Sequence, residues 1–171
     1  MEQKEVLEKL NTPKGLVTIR FAKENDLHQV IGINRRNLPE NYPPYFFKML
    51  LSEYPKAFLV AQLDNKLVGY VMCRIEISPS IFPPYRIARI GHIVSIAVEK
   101  DYRRMGIGKS LMINVMKCMK EYYNVDEYIL EVRVSNMPAR KLYEKLGFRT
   151  VRILPAYYHD GEDGLLMARP A

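Results

Sequence analysis

The stretch RRMGIGKS, residues 103–110, decides the fold, because a strand pattern comes before it and a helix pattern after it. Ile90–Val98, IGHIVSIAV, is rich in β-branched residues that alternate, which predicts a mostly buried strand. After the stretch, apolar residues recur every three or four positions, which predicts an amphipathic helix. These apolar residues are Ile107, Leu111, Val115, Cys118 and Tyr122.

The turn between strand and helix has the features of an anion site. Gly106 and Gly108 let the backbone approach a ligand closely. Backbone N–H groups point outward at a helix N-terminus, where the macrodipole favours anions. Arg103 and Arg104 add fixed positive charge. We therefore expect this turn to hold a diphosphate.

Spacing separates three glycine motifs that could account for this turn. A nucleotide-binding P-loop requires a glycine where this chain has Arg103. The dinucleotide fingerprint GxGxxG, started at Gly106, requires glycine or alanine where this chain has Leu111. The pattern [QR]xxGx[GA] is satisfied by Arg103, Gly106 and Gly108. So short a pattern is equally compatible with a surface turn before a helix.

The composition is that of a one-domain globular enzyme, with 171 residues, 48% hydrophobic and 26% charged. Cys73 and Cys118 both lie in core-like patterns, which favours a reduced, cytoplasmic protein. No apolar stretch reaches the roughly 18 residues of a membrane span, and the N-terminus lacks a signal peptide's apolar region. The net charge of +7 is compatible with nucleic acid, a ribosome surface, an anionic cofactor or solvated faces.

The other patterns predict one mixed α/β sheet with helices on both faces, from the element order β, α, α, β, β, β, α, β, α, β, β. We expect residues 1–15 to be an N-terminal lead-in, a small helix or disordered, and residues 16–171 to be the domain. The predicted elements after the lead-in are a strand at 17–21, a helix from Asp26, a proline-stiffened connection at 38–45, a hairpin over 57–77, a strand at 127–134, a helix opened by Asn136, and closing strands at 149–154 and 165–168.

This order, with a glycine turn before the third helix, resembles the GCN5-related N-acetyltransferase (GNAT) fold, whose sheet is mostly antiparallel with about seven strands. LEVRVSNMPARKLYEKLGF, residues 130–148, resembles RimI-type enzymes and the catalytic subunit of the NatA N-terminal acetyltransferase. LPENYP at 38–43 and YYHDGED at 157–163 resemble the latter in particular. The resemblance covers about residues 17–169. It implies an N-terminal acetyltransferase of archaeal, stand-alone type, because the chain ends directly after the last strand.

The resemblance also implies acetyl-CoA as cosubstrate. The turn at 103–110 would hold its pyrophosphate, and exposed backbone amides of Ile96–Val98 would bind pantetheine. Asn136 matches the asparagine that bonds the pantetheine arm, and Tyr143 the tyrosine beside the sulfur. The implied cofactor-binding residues are Ile96, Ala97, Val98, Arg103, Arg104, Gly106, Ile107, Gly108, Lys109, Ser110, Asn136, Ala139 and Tyr143.

Acetyl transfer to an amine needs a neutral amine, a polarised thioester carbonyl and a proton for the leaving thiolate. Because an α-amino group has an ordinary pKa of about 8, a weak base or a water relay is enough. Glu131, in the strand LEVRV, is the candidate base, although alternation alone would also make it an outward-facing carboxylate. Tyr143 stays protonated at neutral pH and can donate to sulfur, or it is a packed helix tyrosine.

His92 is the third candidate catalytic residue. It is in phase with Val94, Ile96 and Val98, which is the pattern of a core histidine. Its strand should nevertheless lie beside that of Glu131. We hypothesise that the two side chains jointly orient a proton-relay water.

The predicted peptide site combines the connection at 38–45 with the late loop. Tyr42 and Tyr158 are rigid groups able to hydrogen-bond a peptide backbone. Leu38 and Pro39 would wall the pocket of the first side chain. Glu40 is expected to face a basic group or to help the relay. Each of these residues could equally serve in ordinary loop packing.

Two competing functions stay open at this stage. One is acetylation of a lysine or small-molecule amine, and the other is a basic ribosome- or RNA-binding module with a non-catalytic CoA loop. We expect no required metal, because His92 and Glu131 are only two ligands and neither CxxC nor HExxH occurs. We predict no membrane partner and no specific nucleic acid. Ribosome association and oligomeric state stay open.

Overall fold

The computed structural model describes residues 5–171, which form one eight-stranded sheet with helices on both faces. The strands are β1 (Val6–Thr12), β2 (Gly15–Phe21), β3 (Phe58–Leu63), β4 (Lys66–Pro79), β5 (Ile87–Val98), β6 (Glu127–Arg133), β7 (Arg149–Leu154) and β8 (Gly164–Pro170), and the helices are α1 (Leu27–Asn37), α2 (Pro44–Glu53), α3 (Ile107–Tyr123) and α4 (Met137–Lys145). The strand order is β1-β2-β3-β4-β5-β6-β8-β7. Within these residues β5 and β6 are the parallel pair, and the other neighbouring strands are antiparallel.

A separate hydrophobic layer covers each face of the sheet. On one face the fully buried Leu111 and Met119 of α3 pack against strand residues such as Val71. On the other face Ile33 of α1 and Phe47 of α2 pack in a second cluster. The predicted mixed sheet with helices on both faces is confirmed. No helix in the described part of the chain is both long and apolar enough to cross a membrane.

The N-terminal segment differs from the sequence prediction. Residues 6–12 form β1, which pairs antiparallel with β2 and places Leu10 opposite Val17. The expectation of a helix or disorder is therefore wrong over this stretch, since pairing with β2 outweighs the weak local helix pattern. The sheet consequently has eight strands rather than about seven. Residues 1–4 of the predicted lead-in lie outside the described residues.

A β-bulge in β5 decides which of its side chains reach each face. Cys73 of β4 lies opposite Ile93, but its neighbour Met72 lies opposite Ser95. Val94 is therefore an extra residue with no partner of its own on β4. One extra residue reverses the alternation of every side chain that follows it.

The bulge corrects the predicted phase of His92. Strict alternation would put His92, Val94, Ile96 and Val98 on one face. Val94 packs into the layer of α1 and α2, whereas Ile96 and Val98 pack into the layer of α3. The predicted phase is thus wrong beyond Val94.

The strands β5 and β6 part after a short pairing. Ile90–His92 pairs with Glu127–Ile129, and β5 then stays paired with β4 as far as Val98. Over residues 93–98 the edge of β5 that faces β6 has no strand partner among the described residues. Backbone N–H and C=O groups on this edge are therefore available to an extended ligand.

Candidate active site

The turn before α3 presents backbone donors to an anion. Gly106 is the N-cap of α3 and has φ 86° and ψ 4°, a left-handed conformation that a Cβ would strain. The N–H of Ser110 donates to the carbonyl of Gly106 at 3.0 Å. The N–H groups of the residues before Ser110 start the helix and have no intrahelical acceptor. They lie at the positive end of the helix dipole.

The predicted diphosphate residues contribute in different ways. The side chains of Ile107 and Ser110 are buried, at 1% and 6% exposure, so only their backbone can face a ligand. Arg104 and Lys109 are exposed. Positive side chains and N–H groups therefore lie on the same turn.

The side chain of Arg103 connects the turn to neighbouring elements of the fold. Its Nε donates to the carbonyl of Val98 at 3.0 Å and its Nη2 to Asn37 Oδ1 at 3.0 Å. The guanidinium thus joins the turn to the ends of β5 and α1. Next to it, Ile96, Ala97 and Val98 pack their side chains into the two hydrophobic layers, so apart from the Val98 carbonyl their backbone groups are left to meet a ligand.

The helix α4 follows β6, the strand from which β5 parts, and it carries two of the predicted cofactor residues. Asn136 is the N-cap, and its Oδ1 accepts from the N–H of Ala139 at 3.3 Å, while its exposed amide nitrogen can still donate. Tyr143 is buried against Phe148, with ring centroids 6.2 Å apart. Burial raises the pKa of Tyr143 to about 12, so this phenol stays protonated at any physiological pH. Its hydroxyl can therefore donate a hydrogen bond.

A Glu–His–Glu arrangement lies at the point where β5 and β6 part. His92 Nδ1 lies 2.7 Å from Glu76 Oε1, and His92 Nε2 lies 2.7 Å from Glu131 Oε2. Arg74 Nε also donates to Glu76 Oε1, at 2.7 Å. The contact between His92 and Glu131 is direct. A relay water of the kind predicted would consequently contact the other face of the Glu131 carboxylate, whose side chain is 19% exposed.

The two carboxylates determine the charge of His92. Burial alone would lower the pKa of this histidine, but hydrogen bonds to Glu131 and Glu76 outweigh burial and raise the pKa to about 9. The hydrogen bond from His92 is also the main reason that the pKa of Glu76 falls to about 2. His92 is therefore an imidazolium at neutral pH and donates a hydrogen bond to each of the two carboxylates.

Arg133 joins the two loops above this centre. Its Nη2 lies 2.7 Å from Glu40 Oε1, and its Nη1 lies 2.7 Å from Asp160 Oδ2 and 3.0 Å from Glu162 Oε1. Its guanidinium carbon lies 4.2 Å from the centre of the Tyr158 ring. The side chain holds the connection at 38–45 against the loop at 155–163. Glu40 therefore faces a basic group, Arg133, which is the first of the two alternatives expected for it.

The remaining predicted peptide residues lie on the same side of the sheet. Tyr42 stacks on Phe46 with ring centroids 4.9 Å apart, and its hydroxyl donates to the Val94 carbonyl at 3.4 Å. Burial raises the pKa of the Tyr42 hydroxyl, which stays protonated. Leu38 is half-buried in the layer of α1 and α2, whereas Pro39 is exposed.

Sequence reasoning missed three residues of this site, namely Glu76, Arg133 and Tyr157. Tyr157 packs edge-on against Tyr158, with ring centroids 5.0 Å apart. Arg133 could have been found, because it follows Glu131 by two positions on one strand and must share its face. Glu76 could not, because its contact with His92 depends on the register between β4 and β5.

Residues 27–148 match the family model described as "Acetyltransferase (GNAT) family". The chain belongs to the GNAT family. It is 54% identical to an N-alpha-acetyltransferase of Saccharolobus solfataricus over 154 residues, which covers 90% of this chain and 92% of that one. It is also similar to the crystal structure of Ard1 from Thermoplasma volcanium, with 30% identity, a TM-score of 0.78, and 91% and 97% of the two chains covered.

A third similar protein is the ribosomal-protein-S18-alanine N-acetyltransferase of Escherichia coli, with 26% identity and a TM-score of 0.72. That match covers 90% of this chain and 93% of the other. The predicted fold, family, enzyme class and cosubstrate are confirmed. GNAT enzymes use acetyl-CoA, and the left-handed Gly106, the free N–H groups of α3 and the open edge of β5 fit a donor with a diphosphate and an extended arm.

Proposed function

We propose that this GNAT enzyme transfers the acetyl group of acetyl-CoA directly to the free α-amino group of a peptide or protein in a ternary complex. The observation that carries the proposal is the carboxylate of Glu131, whose Oε2 lies 2.7 Å from His92 Nε2, together with the two loops that Arg133 joins. A main chain that enters between these loops meets the carboxylate with its first residue. A lysine side chain is long, so its amine could reach Glu131 while the backbone of that lysine stayed outside the two loops.

Acetyl-CoA supplies an activated acyl group when it is bound. The N–H groups that begin α3, with Arg104 and Lys109, would hold its diphosphate, and the backbone of 96–98 with Asn136 would hold its arm. Glu131 accepts the proton of the attacking amine, whose ordinary pKa of about 8 leaves a neutral fraction near pH 7. Tyr143 supplies a proton to the departing sulfur.

His92 and Arg133 position the reacting groups in this proposal. The imidazolium of His92 donates to Glu131 and fixes the direction of its carboxylate. Arg133 keeps Glu40 and Tyr158 in place above it. Leu38 and Pro39 would wall the pocket of the first side chain, and Tyr42 and Tyr158 would bind the peptide backbone.

Three finer statements belong to the same proposal. A RimI-like character is supported by the likeness to the Escherichia coli enzyme. A cytoplasmic location is supported by Cys73 and Cys118, which are both buried free thiols. Ribosome association is supported by the net charge of +7. That the enzyme requires no metal stays a prediction.

The test is a thiol-release assay with acetyl-CoA and peptides that begin Ser, Ala, Met-Leu or Met-Glu, each also containing an internal lysine. We expect turnover with free N-termini and none with the same peptides blocked at the N-terminus. Turnover of the blocked peptides would indicate a lysine acetyltransferase instead. Salt-sensitive RNA binding without turnover would indicate the nucleic-acid-binding alternative.

A further inference from the structure

A groove of about 420 Å³ lies on the same face of the sheet as Glu131, and the mechanism above does not use it. Its floor is apolar, and one wall is the loop between β4 and β5. Residues that line it include Ser78, Ile81, Ile90, Ile129, Arg152 and Leu166.

The groove continues directly from the catalytic centre. Ile90 precedes His92 by two residues on β5, and Ile129 precedes Glu131 by two on β6, so each pair shares a face of the sheet. Leu166 is the cross-strand partner of Glu131. With a rise of about 3.3 Å per residue, the floor begins roughly 7 Å from the catalytic side chains.

The open edge of β5 determines the direction in which an acceptor must run. Beyond His92, residues 93–98 are the part of β5 that the donor's arm would occupy. An acceptor whose amine reaches Glu131 must therefore leave residues 93–98 free, and on the sheet the direction away from them leads over Ile90 and Ile129. An extended chain that starts at Glu131 reaches this floor at about its third residue.

The wall formed by the loop is held in place before any ligand binds. The carboxylate of Glu127 is buried at 3% exposure. It accepts hydrogen bonds from the N–H of Ile81, at 2.9 Å, and from the hydroxyl of Ser80. The side chains of Ile81 and Phe82 then pack against the apolar floor. The groove is thus largely pre-formed, as ligand sites usually are.

Arg152 gives the groove its charge. Leu166 of β8 pairs with Glu131 on one side and with Arg152 on the other, so these three residues lie in line across β6, β8 and β7. The side chain of Arg152 is exposed, and within residues 5–171 it has neither a carboxylate nor a hydrogen-bond acceptor as partner. An acidic group of a bound chain is the complement of this guanidinium.

We propose that the groove binds the acceptor segment that follows the first two residues, with an apolar side chain on the floor and an acidic side chain against Arg152. The proposal rests on the proposed function, because only an acceptor whose α-amine reaches Glu131 continues into the groove. Arg152 is accordingly a specificity-determining residue and takes no part in the chemistry.

The test uses pentapeptide amides that begin Ser-Ala and carry Glu or Lys at position three, four or five, together with the dipeptide amide Ser-Ala. In the wild-type enzyme we expect kcat/KM to be about three- to tenfold higher for the best Glu peptide than for its Lys counterpart. Arg152→Glu should reverse this preference and leave the dipeptide amide unchanged. The preference should weaken at 1 M salt, since the pair is exposed.

The control is Lys117→Glu, which makes the same charge change on the exposed side of α3, across the sheet from the groove. It should leave the ratio of Glu to Lys peptides as in the wild type. An unchanged ratio in Arg152→Glu would overturn the proposal, and so would an equal loss for dipeptide and pentapeptides. Failure of the proposed function would look different, because no free N-terminus would then be acetylated.

Discussion

In the function proposed above, the donor side and the acceptor side of this enzyme are built from different parts of the chain. On the donor side the binding groups are mostly backbone, namely the N–H groups that follow Gly106 and the open edge of β5. On the acceptor side they are side chains, with His92 between two carboxylates and Arg133 among three. A backbone site depends on conformation, whereas a side-chain site depends on charge and identity.

This difference predicts how substitutions act on the two sides. Changing a side chain near the donor turn should matter little unless the new residue cannot adopt the backbone conformation. Changing one acceptor side chain should matter more, because a partner then loses its counter-charge. Steady-state kinetics that vary each substrate separately distinguish the two effects.

The largest expected effect is that of Glu131→Gln. The amide keeps the shape of the carboxylate but cannot accept the proton of the amine, so kcat should fall about 100-fold or more. The limb of the pH–rate profile that reports the base should disappear. Binding of acetyl-CoA, measured by calorimetry, should stay as in the wild type.

His92→Ala is the companion variant for this prediction. It removes the donor that orients Glu131 and should lower kcat less than Glu131→Gln does. A pH–rate profile that is unchanged in both variants would rule out the proposed relay.

The next largest effect is expected from Arg133→Gln, on the acceptor side alone. Glu40, Asp160 and Glu162 would lose their shared partner, and the two loops would separate. We expect the KM for peptide to rise about tenfold, with little change in the KM for acetyl-CoA. Initial rates with each substrate varied in turn provide the measurement.

Gly106→Ala is the matched variant on the donor side. At the φ of 86° that residue 106 adopts, an alanine costs about 1 kcal/mol more than a glycine, so the turn should shift. We expect the KM for acetyl-CoA to rise severalfold and the KM for peptide to stay the same. If both variants raised the two KM values together, the separation into a donor and an acceptor side would be wrong.

The donor side was also the more predictable from sequence. The spacing of Arg103, Gly106 and Gly108 follows from local backbone geometry, and local geometry is what a short motif records. The pairing of His92 with Glu131 was predicted because the two lie on strands expected to be neighbours. The predicted roles of these residues stay predictions.

What could not be predicted depends on contacts between distant segments. The bulge at Val94 reverses the faces of Ile96 and Val98, and nothing in IGHIVSIAV marks it. The strand β1 exists because β2 offers a partner, although VLEKLNT alone has helix-like spacing. Glu76 reaches His92 through the register of β4 against β5, which the sequence does not specify.

The smallest expected effect, Glu76→Gln, concerns the charge on the acceptor side. Glutamine keeps a hydrogen bond to His92 Nδ1 but removes one of the two anions that hold the imidazolium. The pKa of His92 should fall from about 9 towards 6.5. Titration of the histidine resonances by NMR measures this shift, and His92→Gln assigns the signal among the three histidines of the chain.

Glu76→Gln should also change how the free energy of unfolding depends on pH. The pKa of His92 is raised from 6.5 to about 9, so its stabilising contribution is complete below pH 6.5 and is lost as pH rises through 9. The pKa of Glu76 is lowered from 4.5 to about 2, so its contribution is complete above pH 4.5 and is lost as pH falls through 2. The wild type should therefore exceed Glu76→Gln in free energy of unfolding by about 1–2 kcal/mol between pH 4.5 and 6.5, and by progressively less towards pH 9. A difference that stayed constant from pH 6 to pH 9.5 in urea unfolding would mean that His92 carries no charge in the native protein, and Glu131 would then be oriented by a neutral imidazole.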